Sequence, residues 1–129
     1  MKDYMTDYLQ YRIERARGAL KVAELSAQTG EYNSCTNRLY YAAFYAVNAL
    51  LMKYDHTSSK HTGVRAIFNK EFVKKGIVPK EFGILFNDLF ESRQECDYKD
   101  LFFIPAEEIE PLIPKVKEFI DFIEKLISE

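Results

Sequence analysis

The stretch from Asn33 to Tyr54 constrains the chain more than any other. Tyr40, Phe44, Val47, Leu51 and Tyr54 follow one another at steps of four, three, four and three, and Leu39, Ala43, Ala46 and Leu50 form a second row beside them. Such spacing predicts a helix that is apolar around most of its circumference, and a helix of that kind must be enclosed by neighbours on several sides. Ala42, Ala43, Ala46 and Ala49 lower its profile so that those neighbours can approach closely.

Other helices can be read from the breakers between them. The first is predicted from about Tyr4 to Ala27, with Tyr8, Tyr11, Arg15, Ala19, Val22 and Leu25 or Ala23 as its periodic stripe, closed by Gly30. After a polar connection at 55–59, in which Ser58 or Ser59 is the expected cap, a helix over about Lys60 to Lys75 carries His61, Val64, Phe68 and Phe72 and stops at Gly76. A fourth, from about Lys80 to Tyr98, aligns Phe82, Leu85 or Phe86, Leu89, Arg93 and Asp97, so an arginine continues an apolar stripe. Leu101 to Ile104 is short and apolar, and Pro105 with Glu107 and Glu108 reads as a helix start. Pro111 and Pro114 argue for a kink or restart before the run Leu112, Val116, Phe119, Ile123 and Leu126.

These segments predict an all-α, antiparallel up-and-down four-helix bundle with one additional short or broken helical segment. With 129 residues, 47% of them hydrophobic, there is room for one domain with a sizeable core and not for two, so residues 1–129 are expected to form a single helical bundle domain. Eight of the nine tyrosines fall in residues 1–54 and nine of the ten phenylalanines beyond, which suggests wetter faces in the early half.

Eighteen Lys and Arg against twenty Asp and Glu leave a net charge of −2, which does not support a broad non-specific nucleic-acid surface, and DNA is not an expected partner. The start, MKDYMTDYLQ, lacks the pattern of a secretory signal, and no apolar run is long enough to span a bilayer. A reduced, cytoplasmic protein without a membrane partner is expected. Cys35, Cys96, His56 and His61 are too scattered for a zinc signature, and no glycine-rich phosphate loop occurs, so neither a metal nor a cofactor is expected.

Arg93 is the sharpest chemical candidate, because a guanidinium keeps its charge and can bind phosphate or carboxylate through two donors. Asp97, one turn later, is its candidate structural partner. His61 is a candidate general base, since histidine alone has an ordinary pKa near the working range, and could act if the fold carries it to Arg93; capping or packing is its favoured use. Arg38, Tyr41, Tyr45 and Asn48 share one helical side and form a candidate RNA- or nucleotide-binding strip together with Arg93, although Arg and Tyr also dominate the anchors of protein interfaces and packing or dimerisation is the favoured use of the strip.

The segments Asn37-Arg38-Leu39-Tyr40-Tyr41-Ala42-Ala43-Phe44-Tyr45-Ala46, Ser59-Lys60-His61-Thr62-Gly63-Val64 and Arg93-Gln94-Glu95-Cys96-Asp97-Tyr98, in this order and spacing, resemble the HEPN domain family, and the resemblance covers nearly the whole chain. They look like the small stand-alone members often encoded beside a nucleotidyltransferase-like protein. The resemblance implies a helical bundle, a homodimer, a role in a toxin–antitoxin-like or defence-related pair and, in many members, metal-independent cleavage of RNA in a cleft between subunits. Arg93 matches the family arginine. The histidine expected a few residues after it is missing; Tyr98, Lys99 and Asp100 stand there instead. Tyr98, with an ordinary pKa of about 10, is a poor base at neutral pH, which leaves His61 as the candidate replacement. A catalytically inactive dimer or scaffold that holds a nucleotidyltransferase-like partner is the alternative.

Overall fold

The structure is a computed structural model that describes residues 4–98 and 104–129, the side chains of 97 and 98 excepted. It is helical, and the described residues contain no strand. Helix α1 covers Tyr4–Gln28, α2 Tyr32–Lys53, α3 His61–Phe68, α4 Lys80–Tyr98, α5 Ala106–Ile109 and α6 Leu112–Ile127. A π-helical turn at Asn69–Val73 extends α3.

Helix α2 is the axis of the bundle, in contact with α1, α3, α4 and α6. Both of its predicted rows are inside, with Leu39, Tyr40, Ala43, Ala46, Val47, Leu50 and Leu51 buried and Phe44 half-buried; Tyr54, just past its end, is exposed. Gly30, at φ 77°, turns the chain between α1 and α2 and sets them antiparallel. Tyr40 meets Phe86 and Phe90 of α4 at 5.9 Å each, and Phe82 meets Phe119 and Phe122 of α6 at 5.5 and 5.3 Å. With Cys96 Sγ 3.6 Å from Asn33 Oδ1 and Phe86 against Phe119, these pairs run α4 antiparallel to both α2 and α6. Arg17 ties α1 to α6 through Asp121 (2.8 Å) and Glu124 (2.7 Å), and Lys53 Nζ donates to the carbonyls of Ile127 and Glu129. Such partly exposed ion pairs contribute up to about 1 kcal/mol each, so they fix register while apolar burial supplies the stability.

Some expectations change. The α1 stripe read from Tyr8, Tyr11, Arg15, Val22 and Leu25 is the outer face: Leu9, Ile13, Ala16, Leu20 and Ala23, with Ala19, are the buried row, and Tyr8, Tyr11, Val22 and Leu25 are exposed. Two rows with similar spacing compete on this helix, and the row of smaller, less amphipathic side chains fits against the alanines of α2. The third helix is regular only to Phe68; beyond it the ring widens, with Lys74 N–H bonded to Asn69 O and Asn69 Nδ2 donating to Asn87 Oδ1 on α4. No serine side chain caps α3. Lys60 holds that position, and Ser58 Oγ accepts from the Lys60 N–H at 3.2 Å. The predicted restart is observed: Pro111 precedes α6, and Pro114 lies in its first turn, where a missing N–H costs no helical bond. Of the apolar stretch 101–104, only Ile104, which is buried, lies within the described residues.

The π-helical turn brings Val73 against Gly83 of α4, where a methyl group would lie 2.8 Å from Val73 Cγ1. Gly18, in the middle of α1, has open space around the same position. Gly18→Ala is therefore expected to raise stability by about 0.5–1 kcal/mol and Gly83→Ala to lower it despite the same gain in helix propensity, as read from urea unfolding midpoints at constant m.

Candidate functional site

A fully buried tyrosine on the axial helix organises the site. Tyr40 lies among Phe86, Phe90 and Phe44, and its hydroxyl is 2.8 Å from Nδ1 of His61. A buried phenol needs a hydrogen-bond partner, and the first residue of α3 provides it. The local sequence sets that position: Ser58 folds back onto Lys60 across Gly63, where any side chain would overlap the serine hydroxyl. The imidazole stacks on Phe44 with centroids 4.2 Å apart and planes within 6°.

Arg93 comes to the same place from α4. Its guanidinium carbon is 5.3 Å from the centre of the Tyr40 ring and 5.6 Å from that of Tyr41, and the His61 ring is 5.8 and 5.9 Å from the same two rings. Arg93 of α4 and His61 of α3 thus share two tyrosines of α2. Both are half-buried, so the cluster borders solvent.

Two further arginines flank it. Arg38 lies 5.0 Å from the Tyr41 ring and donates twice to Asn37 Oδ1. Arg65 lies 4.0 Å over Phe90 and pairs with Glu91 at 2.8 Å. Burial, and then Arg93, pushes the His61 pKa below its ordinary value, while burial drives the Tyr40 hydroxyl far up, so that the phenol stays protonated. A fixed cation beside a neutral imidazole suits a phosphoryl group: the first supplies charge and the second a directional hydrogen bond.

Of the residues singled out from sequence, Arg93, His61, Tyr41 and Arg38 converge. Tyr45 joins at the edge, 6.0 Å from Tyr41, and accepts a 2.9 Å hydrogen bond from Arg15 of α1. Asn48 is half-buried within α2, and its side chain makes no hydrogen bond among the described residues. Tyr98 and Asp97, the other catalytic candidate and the candidate partner of Arg93, have side chains that lie outside the described residues. Cys35 is buried, with its thiol pushed up to about 11 by burial, and fits a packing role. The residues missed are Tyr40 and Phe44, read only as core, and Arg15 and Arg65. For Tyr40 a signal was present: a hydroxyl in an otherwise apolar row demands a partner.

Because folding lowers the His61 pKa, the unfolded chain takes up the proton first as pH falls below about 6.5. Stability is expected to be flat above that pH and to decline below it, and His61→Gln removes this part of the decline; NMR titration of the ring in the folded protein should give a midpoint below the ordinary 6.5.

Comparison with known proteins gives a match to the HEPN domain over residues 9–126. A UPF0332 protein of Thermotoga maritima is 44% identical over 121 residues, covering 94% of this chain and 92% of its own. A Methanocaldococcus jannaschii protein named as a "putative toxin" is 34% identical over 122 residues, 94% of this chain and 83% of its own. A UPF0332 protein of Archaeoglobus fulgidus is 27% identical, covering 89% of this chain and 97% of its own. The order of segments around Tyr40, His61 and Arg93, the bundle they build and the length of these matches agree that the chain belongs to the HEPN domain family.

Proposed function

We propose that this HEPN protein binds the phosphate of RNA or of a nucleotide at the Arg93–His61 cluster and serves as the toxin-like component of a pair. The reading rests on one observation: a fixed guanidinium and an imidazole from different helices meet over the same two tyrosines at the edge of solvent. The toxin name of a relative 34% identical supports the same role. The partner in such a pair is a nucleotidyltransferase-like protein, and a homodimer would bring two Arg93 side chains to one cleft.

Metal-independent RNA cleavage is the activity such a site would serve. The ribose 2′-oxygen bonds to phosphorus, the bond from phosphorus to the 5′-oxygen breaks, the 2′-hydroxyl proton leaves to water and the departing oxygen takes a proton from water. Arg93 compensates the charge that develops on the phosphoryl oxygens. Protein freed from its cognate partner is expected to bind and cut single-stranded RNA with EDTA present. Arg93→Ala should lower the rate about 10²- to 10⁴-fold with the far-UV CD spectrum unchanged. A parent protein that neither binds nor cuts varied RNAs defeats the proposal.

The outer face of α1 favours a second reading. Tyr4, Tyr8, Tyr11, Val22 and Leu25 form an exposed apolar row along the helix, of the kind that anchors a protein interface. On this reading the chain is a catalytically inactive scaffold that dimerises or holds its partner through α1. The expected outcome is a stable complex without RNA cleavage, and a loss of association of at least about tenfold, about 1.4 kcal/mol, when Tyr8 and Leu25 are both changed to Lys, measured by sedimentation.

A further inference from the structure

We infer that Tyr40 is a positioning residue: its buried hydroxyl donates to Nδ1 of His61, holds the ring proton on Nε2, and so makes the open edge of the imidazole a neutral hydrogen-bond donor for a phosphoryl oxygen beside Arg93. The distance, 2.8 Å, allows either direction of donation. The surroundings select one. If Nδ1–H donated to the phenol, the phenol's own hydrogen would have no acceptor, because Tyr40 is fully buried and His61 is its hydrogen-bond partner among the described residues. When the phenol donates, both atoms are satisfied, and a buried donor without an acceptor is the costlier arrangement.

Other contacts point the same way. Protonation of both ring nitrogens is opposed by burial and by Arg93. The ring cannot turn its other nitrogen towards Tyr40 without leaving its stack on Phe44 at 4.2 Å or flipping within it, and a flip restores the same hydrogen-bond problem with a carbon atom facing the phenol. The remaining nitrogen, Nε2, makes no hydrogen bond to the described residues of this half-buried side chain and is left for water or a ligand.

The chemical consequence is specific. A neutral imidazole with its proton on the open edge binds an oxygen anion but does not accept a proton there. His61 therefore helps to hold a phosphate and does not replace the missing histidine as the base. The assignment of the ligand rests on the proposed phosphate-binding reading; that of the tautomer does not.

The two parts are tested separately on the full-length protein. With ¹⁵N-histidine labelling, long-range proton–nitrogen correlation at a pH above the ring's titration is expected to show the Nε2–H tautomer alone in the parent and a mixture of tautomers in Tyr40→Phe. A parent ring with its proton on Nδ1, or the same tautomer pattern in Tyr40→Phe, overturns the assignment; the parent spectrum decides even if the variant is unstable. Uridine 3′-monophosphate is the probe for the ligand. His61→Gln, which keeps an N–H near the place of Nε2, should bind it within about threefold of the parent, and His61→Leu should lose about tenfold, equivalent to about 1.4 kcal/mol. Equal losses in Gln and Leu overturn the donor role. No binding by a parent that shows the Nε2–H tautomer defeats the phosphate reading and leaves the role of Tyr40 standing.

Discussion

The need to enclose α2 governs the rest of the molecule. A helix with two apolar rows leaves one strip, that of Arg38, Tyr41, Tyr45 and Asn48, partly open to water, so α1, α3, α4 and α6 must all reach it, and the alanines at 42, 43, 46 and 49 let them come close. Enclosure has a cost wherever the axial helix carries a polar atom. Tyr40 is the largest such case, and its hydroxyl is matched by a ring nitrogen from the first turn of α3. The packing of the core and the geometry of the surface cluster are thereby joined through one side chain.

That connection explains why the candidate site lies where three helices meet. The tyrosines of α2 are a common wall, with Arg93 against it from α4 and His61 from the start of α3. The electrostatic character follows from the order of strengths: burial disfavours charge on both the phenol and the imidazole, and the guanidinium, which does not lose its proton, reinforces the effect on the histidine. The result is one fixed positive charge next to two neutral polar groups. Such an arrangement has more of the binder than of the acid–base pair in it.

Much of the fold was legible because hydrophobic periodicity reports directly on burial. The two rows of α2 follow from spacing, the start of α4 from the breakers Gly76 and Pro79 before it, and the restart before α6 from Pro111 and Pro114. The face of α1 was not legible: its tyrosines and its aliphatic row share the same spacing, and only the shape of α2 decides between them. The π-helical turn was hidden for a similar reason, since it depends on Asn69 meeting Asn87 and Val73 meeting Gly83, contacts between separate helices. In the site, Arg93, His61 and Arg38 could be chosen by residue chemistry. Their convergence could not, because it depends on how Ser58 and Gly63 aim the start of α3 and on the crossing of α2 and α4 at Tyr40.

The pairing of α2 with α6 has a bearing on how the chain matures. Lys53 grips carbonyls at Ile127 and Glu129, and Phe119 backs the Phe86 ring that lies against Tyr40. The residues of α6, synthesised after those of α2, therefore close the compartment that the earlier residues open, across a separation of more than seventy positions. Until they dock, the most water-averse helix of the protein lacks one of its walls, and the tyrosine wall of the cluster has no settled backing. A polypeptide that has not yet added α6 thus lacks the support behind its tyrosines, and the Arg93–His61 cluster takes its shape only when that helix arrives.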